Sequence, residues 1–235
     1  MLPGIVIAGI MLAMASYFDI KYREVQDKFW IPFFIIGAVL TAYDYYIGTP
    51  GFALVPLALS IGLTSGIAWA AYFLHLYGGA DAKAIMVLSL LFPVYQDVQS
   101  LHGFGAFMSF TNSILLTALL PAAFLLINLG KMSKGGKIFQ GFEEESGFSK
   151  FKALFLGYRR KQAGKYDFSL EKIVDGKKRF HISLGKIDED FTKGSDIWVT
   201  PGIPLLVFVL LGFIVTVVVG DLLFTFFLTL FEVFF

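Results

Sequence analysis

The sequence contains no cysteine at all. That excludes a disulfide framework, cysteine-ligated zinc and a thiol nucleophile. Charge is scarce as well: only 16% of the 235 residues are Asp, Glu, Lys or Arg, against about 25% in ordinary soluble domains. The net charge of +1 gives no basic surplus for nucleic acid, so no nucleic-acid partner is expected. No G-x-x-x-x-G-K-[ST] phosphate loop and no H-E-x-x-H zinc motif occurs, and the three histidines, His75, His102 and His181, are scattered. Neither a metal nor a cofactor is expected. What is abundant is apolar surface: 57% hydrophobic and 17% aromatic residues, with a mean hydropathy of +0.73. Such a chain is too apolar for a soluble or a disordered class.

The apolar residues fall in blocks at 3–18, 29–43, 52–74, 82–95 and 104–129, then at 202–219 running on into 222–235. A helix needs about 20 apolar residues to cross about 30 Å of hydrocarbon. Six spans are expected, with 82–95 short enough to be tilted, protein-buried or re-entrant. The first block has neither a basic start nor a small-residue cleavage site, so a retained helix is expected there. The fold class is therefore mostly α, a polytopic membrane protein of about six helices with a small cytoplasmic α+β domain. The expected division is 1–130, membrane helices one to five; 131–200, the cytoplasmic domain; and 201–235, the last span and a C-terminal extension.

With six spans, all 19 Lys and Arg residues fall on one side. Lys21, Arg23 and Lys28 follow the first block, Lys83 sits between the third and fourth, and the rest lie from Lys131 to Lys193. The positive-inside rule makes that side cytoplasmic and puts both chain ends outside. Tyr43, Tyr45, Tyr46 and Tyr95 then mark the outer interface. Within 131–200, Phe148, Phe151, Leu154, Phe155 and Tyr158 recur at helical spacing among Lys150, Lys152, Arg159, Arg160 and Lys161. This pattern predicts a basic amphipathic helix, resting on anionic lipid or packed on its own domain. Asp175-Gly176 between β-prone runs predicts a hairpin.

Acids at span ends are functional candidates. Asp19 closes the first block and Asp81 opens the fourth, both on the cytoplasmic side; Asp44 and Asp221 lie at the outer side and read as interface anchors. Two neighbouring carboxylates share a proton, so one takes a proton from water while the other polarises a carbonyl and protonates a leaving amine. That is aspartyl peptidase chemistry. Gly78-Gly79-Ala80 before Asp81 is nearly free of side chains and lets a substrate backbone approach; it reads equally as an ordinary loop with an N-cap Asp. Lys83 can hold a carboxylate or a lipid headgroup. Asp27 can meet a basic substrate or simply be solvated.

Gly78-Gly79-Ala80-Asp81 resembles the G-x-G-D motif of the type IV prepilin peptidase superfamily, which includes the archaeal preflagellin peptidases. Asp19-Ile20-Lys21-Tyr22-Arg23-Glu24-Val25-Gln26-Asp27 is similar to that family's first motif, and Thr200-Pro201-Gly202-Ile203-Pro204 to its Pro-containing approach to the last helix. The resemblance implies a catalytic pair, Asp19 and Asp81, an active-site loop at Gly78, Gly79 and Ala80, and supporting roles for Asp27, Lys83, Pro201 and Pro204. It implies a preflagellin or pilin-like precursor as substrate, cut at the cytoplasmic face where a short basic leader meets a hydrophobic helix. Bacterial relatives carry a Cys-x-x-Cys domain and N-methylate their product; this chain has no Cys, which implies cleavage alone. A proton or cation transporter subunit and a non-catalytic scaffold are the rival classes. The acids lie at one face rather than midplane, and no inverted repeat is visible.

Overall fold

The computed structural model describes residues 1–96, 100–174, 176–181, 192 and 194–234. It divides into two compact units, Met1–Thr117 with Pro204–Phe235, and Ala118–Ile203.

The larger unit is helical: α1 (Leu2–Tyr22), α2 (Asp27–Tyr46), α3 (Leu54–Phe73), α4 (Gly79–Leu91) and α5 (Gly105–Thr117), and after the smaller unit α8 (Leu205–Val218) and α9 (Leu222–Phe234). α1 buries one stripe, Ala8, Met11, Leu12, Ala15 and Ser16, and leaves Leu2, Val6, Ile10 and Met14 exposed. A helix that exposes this many aliphatic side chains over its outer face is suited to lipid, not water. α1, α2, α3 and the stretch Gly105–Ser133 are long and apolar enough to cross a membrane, and the bent pair α8 and α9 makes a fifth if it counts as one span. The expected six differ from this at α4. Its 13 residues fall short of a bilayer. Instead α4 is packed by α1, α2, α3, α5 and α8, with Ala84, Ile85, Val87, Leu88 and Leu91 buried among them.

Close packing in this unit relies on small residues. A Cβ on Gly212 of α8 would lie 2.4 Å from the Ser109 carbonyl oxygen of α5, so the two helix backbones touch only because Gly is there. α8 and α9 meet at a 56° bend. Buried Asn112 of α5 satisfies the freed backbone: its Nδ2 donates to Gly220 O (2.8 Å) and Thr216 Oγ1 (3.0 Å), and its Oδ1 accepts from Leu222 N–H (3.1 Å).

Two residues read as interface anchors are drawn inward. Asp221 is buried and caps α9 through Phe224 N–H, and Tyr95 is buried with its hydroxyl on Val217 O. Tyr43, Tyr45 and Tyr46 remain exposed. Asp44 accepts from the Met1 amine and from Thr49 Oγ1.

The smaller unit holds α6 (Leu120–Ser133), α7 (Gly147–Leu156), β1 (Tyr158–Gln162), β2 (Asp167–Ser169), β3 (Glu171–Val174), β4 (Lys177–Phe180) and β5 (Ser195–Pro201). β5 lies between β1 and β2, antiparallel to both, and β3 pairs with β4 as a hairpin. The hairpin turn predicted at Asp175-Gly176 falls where Val174 pairs with Lys177, though Asp175 itself lies outside the described residues, as do Asp97 and Lys193. The core is Trp198, fully buried, with Ile138, Phe142, Ala153 and Leu170. The Trp198 indole N–H donates to Ile138 O (2.9 Å), and its ring stacks on Phe139. The amphipathic helix differs from expectation at its end. α7 stops at Leu156, and Tyr158–Gln162 is a strand. Gly157 makes the switch: a Cβ there would lie 2.1 Å from Val199 O, so only Gly lets the chain pass against β5. α7 buries Ala153, packs Leu154 and Leu156 on the core, and leaves Phe148 and Phe151 exposed.

Candidate active site

Asp19 sits in the last turn of α1 and Asp81 in the first turn of α4. α4 begins earlier than an N-cap Asp would allow. Gly78 is the N-cap, with extended backbone, and Asp81 is the third helical residue, reaching back so that its Oδ2 accepts from Gly78 N–H (3.1 Å). A carboxylate in this position also meets the positive end of the helix dipole. Asp81 is buried, 8% exposed, while Asp19 is half-buried. The two are near enough that the charge of Asp19 acts on Asp81. Like charges brought together disfavour ionisation of both groups.

A third element completes the surroundings of Asp19. Its Oδ2 accepts from Leu206 N–H (3.3 Å), in the first turn of α8. Ser16, one turn earlier on α1, donates to Leu206 O (3.0 Å) and is buried. The first turn of α8 is thus held on both sides of one residue by α1. Arg23 lies close enough to act on Asp19, and Tyr77 stands beside Asp81 with its ring against Phe110.

The remaining sequence candidates take varied places. A Cβ on Gly78 would crowd Asp81 Oδ2 at 3.1 Å, while one on Gly79 would meet a Tyr72 ring carbon at 3.6 Å, an ordinary contact. Neither glycine has a positive φ, so what they provide at this turn is space. Ala80 packs against the larger unit's core. Asp27 and Lys83 form an ion pair with each other, joining the start of α2 to α4. Pro204 is the N-cap of α8, two residues before the Leu206 contact, whereas Pro201 ends β5 opposite Asp167. Where α1 turns into α2 a groove of about 580 Å³ is lined by Phe18, Tyr22, Glu24, Gln26, Lys28 and Phe29, and neither aspartate lines it. Among the described residues no three His, Asp or Glu side chains gather as a metal ligand set.

Ser16, Leu206 and Tyr77 are the residues that sequence reasoning passed over. Ser16 carried a signal: it precedes Asp19 by three positions, on the same helix face. The backbone N–H of Leu206 carried none, since any residue there would supply it.

Residues 6–127 match the model of the type IV leader peptidase family, and residues 138–222 match the archaeal peptidase A24 C-terminus, type II. The preflagellin peptidase of Methanocaldococcus jannaschii is 25% identical, over 96% of this chain and 97% of its own. Those of Methanococcus maripaludis and Methanococcus voltae are each 28% identical, over 92% and 89% of this chain and 94% and 92% of their own. With more than half of its length under the family model, and with full-length similarity to three such peptidases, the chain belongs to the type IV leader peptidase family.

Proposed function

We propose that this protein is an aspartyl endopeptidase that removes the short leader from a preflagellin at the cytoplasmic face of the membrane, with Asp19 and Asp81 as its catalytic pair. The observation that carries the reading is the placement of these two carboxylates, at the ends of α1 and α4 and near enough for the charge of Asp19 to act on Asp81, in a chain where acids within apolar segments are scarce. The three relatives named preflagellin peptidase support the substrate. The one-sided distribution of Lys and Arg supports the cytoplasmic face.

In this reading the pair holds one proton. The ionised carboxylate takes a proton from a water molecule, whose oxygen bonds to the scissile carbonyl carbon. The protonated partner gives its proton to the carbonyl oxygen, forming a gem-diol. Collapse of the diol breaks the C–N bond as the carboxyl that took the proton from water gives it to the amine and a diol hydroxyl returns its proton to the other carboxylate, leaving the leader's carboxylic acid, a free amine and a pair that again holds one proton. The new amino terminus leaves unmethylated.

The test is incubation of the purified protein in detergent with a preflagellin, reading both products by mass spectrometry. Asp19→Asn and Asp81→Asn should each cut the rate about a thousandfold, the scale of lost acid–base catalysis, while accumulating normally in membranes. Processing at the wild-type rate by either variant would remove that residue from the catalytic pair.

A further inference from the structure

The C-terminal end of α6, the segment 136–140 and strand β1 border an open cleft of about 990 Å³ within the smaller unit. Lys131, Lys134, Lys137, Arg159, Arg160 and Lys161 line it, against a single carboxylate, Asp196. The two arginines are neutralised. Arg159 grips Asp196 through two hydrogen bonds of 2.7 Å, and Arg160 reaches Asp167 at 2.8 Å. The lysines are not. Lys131 donates to a backbone carbonyl, Arg159 O, and none of the four has a carboxylate partner among the described residues. Four ammonium groups in one cleft repel one another, and a ligand with several anionic oxygens relieves that repulsion.

The cleft's position narrows the ligand. α6 belongs to a stretch, Gly105–Ser133, apolar enough to cross a bilayer, and its Leu126, Ile127 and Leu129 are exposed. Ile127 lies one turn before Lys131 on the same face. Tyr158 stands between the charges, its ring centroid 4.8 Å from Lys131 Nζ and 5.6 Å from the Arg160 guanidinium. An apolar helix face that runs directly into clustered cations beside an amphipathic ring matches a lipid molecule, with acyl chains below and a phosphate above. An acidic protein segment or free phosphate would have no use for the exposed aliphatic face.

We propose that this cleft binds the phosphate of an anionic phospholipid headgroup, its acyl chains lying along the exposed face of α6. The site is separate from the peptidase reading and stands without it. The test is native mass spectrometry of the full chain in detergent, titrated with phosphatidylglycerol, phosphatidylcholine or inorganic phosphate. Phosphatidylglycerol should be retained at least about tenfold more strongly than phosphatidylcholine, the effect of one or two of these Lys residues near an anionic headgroup. The triple variant Lys134→Gln/Lys137→Gln/Lys161→Gln should lose that preference. Lys150→Gln/Lys152→Gln/Lys172→Gln, with the same change in net charge elsewhere, should keep it. Equal retention of the two lipids by the wild-type protein would overturn the proposal, a comparison that needs no variant. So would an undiminished preference in the cleft variant, an equal loss in the control, or inorganic phosphate bound as tightly as phosphatidylglycerol.

Discussion

At the scale of single residues, the scarcity of charge made Asp19 and Asp81 legible. A carboxylate at the end of an apolar helix is costly unless something holds it, and here backbone N–H groups from Leu206 and Gly78 do so. Their support was less legible. Ser16 looks like any small residue on a packed helix face until its hydroxyl is found on Leu206 O. Ser16→Ala should remove a second hydrogen bond to that helical carbonyl and cost about 0.5–1.5 kcal/mol. Because Ser16 acts by positioning the first turn of α8 against Asp19, we expect kcat to fall with little change in KM, and Ser16→Thr to restore part of it. A loss of thermal stability with kcat intact would make Ser16 merely structural.

At the scale of elements, apolar blocks foretold where helices run but not how each is used. The block at 82–95 is short enough to leave tilted, protein-buried and re-entrant readings open, and its length alone does not choose among them. α4 is a 13-residue helix surrounded by five others, so tertiary packing selects the protein-buried reading. The α7-to-β1 switch was missed for a similar reason. The aromatic spacing continues through Tyr158, and the signal to stop is Gly157, whose need appears only when β5 lies against it. Close packing at Gly212 gives a test. Gly212→Val would drive a branched side chain into Ser109 O and Ser113 N, and overpacking of this kind costs about 1–3 kcal/mol. Thermal unfolding in detergent should shift downward accordingly. An unchanged midpoint would mean that α5 and α8 separate at no cost.

At the scale of the whole molecule, the two units have different physical characters. The larger exposes aliphatic side chains as a membrane protein does; the smaller combines a core of its own around Trp198 with the exposed aliphatic face of α6. The distribution of cations was the clearest whole-chain signal in the sequence, because membrane insertion acts on charge directly. It yields a topology that the absence of native cysteine makes simple to map. In intact cells, an impermeant maleimide applied from outside should label Tyr46→Cys and spare Lys172→Cys, both exposed positions. The reverse pattern would turn the molecule over. The central claim, that Asp19 and Asp81 act as one proton-sharing unit, is tested most directly by single-turnover cleavage of a preflagellin by Asp19→Asn, Asp81→Asn and the double variant. Residues that work as a unit lose their function together, so the double variant should be no slower than either single one. Losses that multiply in the double variant would contradict a shared unit and assign the two carboxylates independent roles.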